Sequence, residues 1–248
     1  MRKFFVESNQ IDGDEIKIIG EDVNHIRNVL RLEIGAHIKI GNKETTENYV
    51  CEISEISKDS IKCNILEKTK SIVEGNVELT IFQGLPKADK MELIIQKGTE
   101  LGVSNFVPVE LKRCIVKLSG KDEIKKIDRW QKIAEMAAKQ SGRDIIPKIS
   151  NIQNIKNVCK LIPNYDIVLV AFENEENNSL KNELLKIKNT KDSFKIAVII
   201  GPEGGLENNE VKEFEEAGAK VVTLGKRILR TETAPLNIAS IIMYELET

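Results

Sequence analysis

The residue types best suited to chemistry are concentrated in the segment LGKRILRTETAP, at positions 224–235. This segment places three cations, a carboxylate and two hydroxyls around the apolar pair Ile228 and Leu229, just before the last apolar stretch of the sequence. A connection that only had to reverse the chain could be shorter and less charged. We therefore treat the segment as a candidate binding site.

Helix capping offers a structural interpretation of part of this segment. Thr231 or Thr233 could cap the following helix, and Pro235 suits its first turn because no N–H is needed there. Capping accounts for the threonines, but it gives no role to Arg230 or to the apolar pair.

A second candidate is the glycine-rich loop GPEGGL at positions 201–206, which follows an apolar run. Glycines permit positive φ angles and let a ligand approach the backbone closely, and Pro202 restricts the loop. The loop matches neither the G-x-x-x-x-G-K-[ST] phosphate motif nor a G-x-G-x-x-G dinucleotide motif. The carboxylate of Glu203 would repel a pyrophosphate and tolerate a positively charged ligand. An ordinary strand-to-helix turn is the alternative interpretation.

Both candidates lie in a region where apolar strands alternate with helices, from residue 76 onward. Continuously apolar strands such as YDIVLVAF and KIAVIIG are typical of a parallel sheet covered by helices on both faces. Ligands of such α/β sheets bind beyond the carboxyl ends of the strands. Three strand ends carry candidate residues: VAFENEEN, the glycine-rich loop and the 224–235 segment.

The first 70 residues indicate a different, strand-rich unit. The runs KFFV and EIKII, together with AHIKI and YVCEISEI around a turn, predict a small β-barrel with one short helix at EDVNHIRNVL. Arg27 and Arg31 project from that helix, either into solvent or toward RNA. The polar stretch 67–76 has no periodicity and predicts a linker. We expect domains at 1–70 and 76–248.

Composition narrows the classes of function. A net charge of −2 argues against a surface covered in positive charge. Residues 86–148 nevertheless carry 14 Lys and Arg against 9 Asp and Glu, so a polyanion would bind there. The four cysteines form no CxxC pair and the two histidines lie in the first 40 residues, so we expect no metal site. No apolar run is long enough to span a bilayer, and we expect a cytoplasmic protein.

The motifs IIGPEGGL and LGKRILRTETAPLNIAS resemble those of the ribosomal RNA small subunit methyltransferase E family, within the SPOUT class of S-adenosylmethionine enzymes. The likeness covers nearly the whole chain. MRKFFV and HIRNVLRL resemble the family's N-terminal PUA-like RNA-binding domain, and KADKMELIIQKGTELGV and RWQKIAEMAAKQSGR resemble its catalytic domain. The resemblance implies an α/β fold with a small N-terminal PUA-like β-barrel and a C-terminal parallel-sheet domain that contains a trefoil knot.

The resemblance also implies a function. The family methylates N3 of one uridine in 16S rRNA within assembled small ribosomal subunits, as a homodimer and without a metal. The three candidate loops would converge around S-adenosylmethionine. The cofactor residues that this implies are Ala171, Phe172, Glu173, Gly201, Pro202, Glu203, Gly204, Gly205, Leu224, Gly225, Ile228, Leu229, Thr231, Thr233 and Ala234.

Methylation at N3 requires removal of a proton from a neutral base that is a poor nucleophile. Arg230 could stabilise the resulting anion, and Glu232 is a candidate proton acceptor. The cations expected to contact RNA are Arg27, Arg31, Lys87, Lys90, Arg113, Lys117, Lys139 and Arg143.

Two alternatives remain open on the sequence. One is a non-catalytic RNA-binding protein, against which the intact glycine loop and the TETAP helix start argue. The other is a SPOUT methyltransferase that modifies a different RNA site.

Overall fold

The computed structural model describes residues 1–45, 47–69 and 73–247. Contacts divide the chain into two compact units, Met1–Glu74 with Ala138–Ile146, and Gly75–Ala137 with the chain from Pro147 on. The domain ranges 1–70 and 76–248 stay a prediction. Residues 46, 70–72 and 248, which fall in these ranges or in the predicted linker at 67–76, lie outside the described residues. The grouping of 138–146 with the first unit was not predicted from the sequence.

The first unit is built on a mixed sheet. Its elements are β1 (Lys3–Val6), β2 (Ile11–Asp12), β3 (Glu15–Ile19), α1 (Glu21–Asn24), β4 (His37–Asn42), β5 (Asn48–Ile56) and β6 (Ser60–Thr69). The strand order is β1-β4-β5-β6-β3-β2, with β1 and β4 parallel and the other neighbours antiparallel. These six strands form a half-barrel, which agrees with the predicted strand-rich N-terminal unit.

Alternating side chains build the core of this unit. In β3, Ile16 and Ile18 are buried while the residues between and beside them are exposed, as period-two alternation requires. They pack in one cluster with Ile38 and Ile40 of β4 and Ile53 of β5.

The second unit is an α/β layer structure. Its elements are β7 (Val77–Gly84), α2 (Lys90–Glu100), β8 (Asn105–Glu110), α3 (Lys121–Ser141, of which 138–141 belong to the first unit), β9 (Lys148–Ile149), β10 (Gln153–Asn154), α4 (Ile155–Leu161), β11 (Ile167–Ala171), α5 (Leu180–Ile187), β12 (Phe194–Ile200), α6 (Asn208–Glu216), β13 (Lys220–Val222) and α7 (Ala234–Leu246). The strands follow the order β10-β8-β7-β12-β11-β13, β9 pairs with β8, and every pair is parallel.

The sheet order decides which loops meet. Strands β7, β12, β11 and β13 are consecutive neighbours, so their carboxyl ends share one edge of the sheet. The loops after β11, β12 and β13 are the three predicted from the sequence, and the loop after β7 joins them because Gln83 pairs with Ile200. The predicted α/β class is confirmed. Strand order alone does not define the threading of the chain, so the trefoil knot stays a prediction.

Candidate active site

A cavity of about 470 Å³ opens at this edge of the second unit's sheet. It is lined by residues 171–173 after β11, 200–206 after β12 and 223–232 after β13, with Ala234 at the start of α7 and Lys90 at the start of α2. Its size lies within the usual range for small-molecule sites. The loops therefore enclose a space that can accommodate a single small molecule.

Most of the predicted residues line this cavity. Of the fifteen predicted cofactor residues only Thr233 does not, and Arg230 and Glu232 also face it. The sequence-based prediction did not include the lining residues Ile200, Leu206, Thr223, Lys226 and Arg227, and it assigned Lys90 to RNA rather than to the cavity.

The glycine-rich loop folds tightly on itself and on the loop after β11. A Cβ atom at Gly201 would lie 2.8 Å from the backbone carbonyl carbon of Gly205. Gly205 has a φ of +70°, and a Cβ there would lie 2.5 Å from Oε1 of Glu173. A larger residue at Gly201 would require the loop to move, and one at Gly205 would be strained by the positive φ and would displace the Glu173 side chain.

Thr231 ties the 224–235 segment to the glycine-rich loop. Its hydroxyl, which is buried, donates to the carbonyl oxygen of Gly201 at 2.8 Å and accepts from Nε2 of Gln83 at 3.0 Å. The capping interpretation was wrong, because the Thr231 hydroxyl is used between loops and Thr233, the N-cap of α7, makes no side-chain cap. Pro235 lies in the first turn of α7, as predicted.

Charged side chains of alternating sign run across the cavity wall. Nζ of Lys90 lies 2.9 Å from Oε1 of Glu203 and 3.4 Å from Oε2 of Glu232. The other carboxylate oxygen of Glu232 lies 3.9 Å from Nη1 of Arg230. Lys90 thus connects carboxylates from two different loops.

The pKa values of this group follow from these contacts. Burial alone would raise the pKa of Glu203, but hydrogen bonds from the Lys90 ammonium and the backbone N–H of Lys87 outweigh it and lower the pKa. The Glu203 carboxylate in turn raises the pKa of Lys90, and Glu232 adds to this. Both partners are therefore held in their charged forms.

Arg230 and Glu232 differ in exposure. The Arg230 side chain is 84% exposed, whereas that of Glu232 is 16% exposed. Oε2 of Glu232 is buried, and the Lys90 ammonium 3.4 Å away is its ion-pair partner but makes no directed hydrogen bond to it, nor does any other group in the described part of the chain. Buried polar oxygens are rarely left without a hydrogen bond, so this atom is poised to accept one from a bound molecule. Beside these charges, Ile228, Leu229 and Ala234 give the cavity an apolar wall.

The predicted RNA contacts in the second unit have varied surroundings. Arg113 donates from Nη1 to the carbonyl oxygen of Gly204 at 2.8 Å, so it also supports the glycine-rich loop. Lys117 is 77% exposed and lies 3.5 Å from Glu110. Lys87 is exposed, with its backbone N–H bonded to Glu203.

In the first unit the same prediction covers both open and enclosed cations. Arg31 is exposed, and Arg27 donates to the carbonyl oxygen of Lys58. Lys139 contacts both oxygens of Asp22 at 2.9 Å, and Arg143 is buried against Glu74. RNA contact through Lys139 or Arg143 stays a prediction that would require these ion pairs to open.

Two further features concern the described residues only. They contain no cluster of three or more His, Cys, Asp or Glu side chains arranged to hold a metal ion. None of their helices has both the length and the apolar character to cross a membrane.

Comparison with known proteins identifies the family. Residues 73–243 match the model of an RNA methyltransferase domain, and residues 18–66 match an RNA methyltransferase PUA domain. The chain is 36% identical to the ribosomal RNA small subunit methyltransferase E of Bacillus subtilis, over 100% of this chain and 98% of that protein. It is 33% identical to the protein of that name from Mesomycoplasma hyopneumoniae, covering 95% and 96%.

A solved structure agrees with the sequence comparison. The ribosomal RNA small subunit methyltransferase E from Neisseria gonorrhoeae, bound to S-adenosyl methionine, superposes with a TM-score of 0.86 at 29% identity, covering 100% of this chain and 98% of that one. The chain therefore belongs to the ribosomal RNA small subunit methyltransferase E family of RNA methyltransferases.

Proposed function

We propose that the protein uses S-adenosylmethionine to methylate N3 of one uridine in 16S rRNA of the small ribosomal subunit. The observation that carries the proposal is the cavity at the carboxyl edge of the parallel sheet, where the predicted cofactor loops meet beside Arg230 and Glu232. The names of the relatives supply the RNA class, and the resemblance supplies the uridine atom.

The chemical character of the cavity fits this cofactor. S-adenosylmethionine supplies a methyl group carried on a positively charged sulfonium. Glu173, Glu203 and Glu232 line the cavity and would favour a cation, while Ile228 and Leu229 would pack against an adenine ring. The steric limits at Gly201 and Gly205 keep the glycine-rich loop in the tight fold that forms this part of the cavity wall.

The protein's own residues would prepare the uracil ring. Glu232 is the proposed acceptor of the N3 proton, since its buried Oε2 lies beside the Lys90 ammonium but accepts no directed hydrogen bond from the described residues. Arg230, mostly exposed at the cavity, would stabilise the negative charge that develops on the oxygens beside N3. Removing water from the reacting groups would strengthen both effects.

The RNA would be held by cations near the cavity and by the N-terminal unit. Exposed cations that support this role are Lys87 and Lys117, with Lys226 and Arg227 on the cavity lining. The match of residues 18–66 to a PUA domain supports RNA recognition by the first unit. We further propose a cytoplasmic homodimer, on the family resemblance.

The test is methylation of small subunits isolated from cells that lack this activity. The protein is incubated with these subunits and radiolabelled S-adenosylmethionine, and the labelled nucleotide is mapped by mass spectrometry. We expect one 3-methyluridine in 16S rRNA, with free 16S rRNA as the parallel substrate to show whether assembly is required. Label on a different nucleotide or ring atom contradicts the proposed specificity, and no label with intact cofactor binding contradicts the proposed substrate.

A further inference from the structure

Lys90 occupies a position that its local sequence does not reveal. It is the first residue of α2, yet its ammonium group lies on the wall of the cavity formed by the loops after β12 and β13. It contacts Glu203 from one loop at 2.9 Å and Glu232 from the other at 3.4 Å. A single cation thus connects two loops that are separated in the sequence by α6 and β13.

The two carboxylates depend on this cation. Glu203 also accepts the Lys87 N–H, whereas among the described residues the second cationic neighbour of Glu232 is the Arg230 guanidinium, at 3.9 Å from its other oxygen. The charged groups that line the cavity with Lys90 are Glu173, Glu203, Lys226, Arg227, Arg230 and Glu232. Without the ammonium group, the Glu232 carboxylate, which is largely buried, would face negative charge from Glu203 with little compensation.

We infer that Lys90 is a positioning residue for methyl transfer, which holds the Glu232 carboxylate in place on the cavity wall by bridging it to Glu203. This inference rests on the proposed function, in which Glu232 accepts the proton. In this inference Lys90 does not contact RNA. It acts in methyl transfer from the start of α2, outside the three loops predicted from the sequence.

The geometry favours this role over direct RNA contact. The Lys90 side chain is about one-third exposed, and its ammonium group already has two carboxylate partners. Binding a phosphate would require the ammonium to release at least one of them. Lys97, on the same helix, pairs with its neighbour Glu100 at 2.8 Å and is not among the cavity-lining residues. It therefore provides a matched control.

The experiment compares Lys90→Met, Lys90→Arg and Lys97→Met with the wild type. The first measurement is the backbone amide NMR spectrum of residues 231–233 in protein without cofactor, which reports the placement of the Glu232 segment. The second is the rate of single-turnover methylation at saturating S-adenosylmethionine as a function of the small-subunit concentration, which separates the maximal rate from the half-saturating concentration. Both are repeated with Lys90→Met in a Glu232→Gln background. Circular dichroism confirms that each variant is folded.

Lys90→Met should lower the maximal single-turnover rate about 10²-fold, because the Glu232 carboxylate loses the cation that holds it and a small misplacement of a reacting group costs a rate of this order. The half-saturating subunit concentration should stay close to that of the wild type. In the Glu232→Gln background the same substitution should cause little further loss, since Lys90 acts through Glu232. Lys90→Arg should restore much of the rate, and Lys97→Met should leave it unchanged.

A rate loss in Lys90→Met that is equally large in the Glu232→Gln background overturns the inference and leaves Lys90 a purely structural role. A rise in the half-saturating subunit concentration without a loss of maximal rate also overturns it and assigns Lys90 to RNA. The proposed function fails separately. If the wild-type protein does not methylate the subunits, the amide shifts of residues 231–233 in Lys90→Met still show whether Lys90 positions Glu232.

Discussion

Cations at the cavity and cations near residues 138–146 are the same residue types in opposite settings. Arg230 at the cavity is 84% exposed and lies 3.9 Å from Glu232. Arg143 in the first unit is 5% exposed at its side chain, and its Nη2 lies 2.6 Å from Oε2 of Glu74. The Arg230 guanidinium is accessible to a ligand, whereas the Arg143 guanidinium is buried in an ion pair within the first unit.

Arg143 belongs to a hydrogen-bonded network around Glu74. Glu74 accepts from the guanidinium and also from the backbone N–H groups of Asp144 and Ile145, at 2.8 and 3.2 Å. Lys3 forms a buried ion pair with Asp144. These bonds fix the backbone of 138–146, so charge in this segment serves structure. The exposed fraction and the carboxylate partners of a cation, rather than its type, separate a binding role from a structural one.

The largest expected effect comes from removing the open guanidinium. Arg230→Ala should reduce the methylation rate about 10³-fold, the loss typical when a group that stabilises developing charge is removed. Affinity for S-adenosylmethionine should stay within a few-fold, because the Arg230 side chain extends largely into solvent. Single-turnover rates and isothermal titration calorimetry measure the two quantities.

The neighbouring arginine provides the control for this variant. Arg227 also lines the cavity and is exposed, but no ion pair with Glu232 is found for it within the described residues. Arg227→Ala should lower RNA affinity with a much smaller loss of rate at saturating RNA. Near-normal turnover in Arg230→Ala would remove Arg230 from the mechanism.

The enclosed arginine should instead affect stability. Glu74→Ala leaves the buried Arg143 guanidinium without its carboxylate and should reduce the free energy of unfolding by about 3 kcal/mol. Urea denaturation followed by circular dichroism measures this loss, with Glu52→Ala, at a partly exposed surface position, as control. S-adenosylmethionine affinity of the folded Glu74→Ala variant should be unchanged. A stability within 0.5 kcal/mol of wild type would show that this network does not anchor 138–146.

Substitution of Thr231 should have an intermediate effect on the free energy of unfolding and should also change the affinity of the cavity for S-adenosylmethionine. Thr231→Val keeps the shape but removes the bonds to Gly201 and Gln83, and a lost buried hydrogen bond of this kind costs about 2 kcal/mol. Thr231→Ser keeps the hydroxyl and should cost less than half as much. We expect S-adenosylmethionine affinity to fall with Val and to be retained with Ser, as measured by calorimetry. Equal behaviour of the two variants would mean that the hydroxyl does not hold the loops together.

The sequence predicted the fold class because both sheets follow local patterns. Alternation in EIKII places Ile16 and Ile18 inside the first unit, and the apolar run at 196–200 forms most of the central strand β12. The three cavity loops could be found because each follows such a strand. Lys90 could not be placed in the same way, since its position depends on β7 lying next to β12, a pairing between strands more than a hundred residues apart.

The roles of individual polar residues were harder to predict for the same reason. Thr231 precedes a helix, so capping was the natural expectation, and only the position of Gly201 shows that its hydroxyl bonds elsewhere. The excess of positive charge in 86–148 correctly marks a basic stretch, but it does not reveal that Arg143 meets Glu74 or that Lys139 meets Asp22. Partners distant in sequence decide which charges stay available.

The smallest expected effect tests this availability directly through the salt dependence of RNA binding. Lys226 is exposed on the cavity lining, whereas Lys139 is paired with Asp22. Lys226→Gln should weaken binding to small-subunit RNA a few-fold and reduce the slope of log affinity against log salt by about one, the value for one lost phosphate contact. Lys139→Gln should leave the slope unchanged, because its ammonium neutralises a carboxylate of the protein. Filter binding over a series of salt concentrations measures both slopes. An equal loss of slope in Lys139→Gln and Lys226→Gln would mean that the ion pair between Lys139 and Asp22 opens when RNA binds.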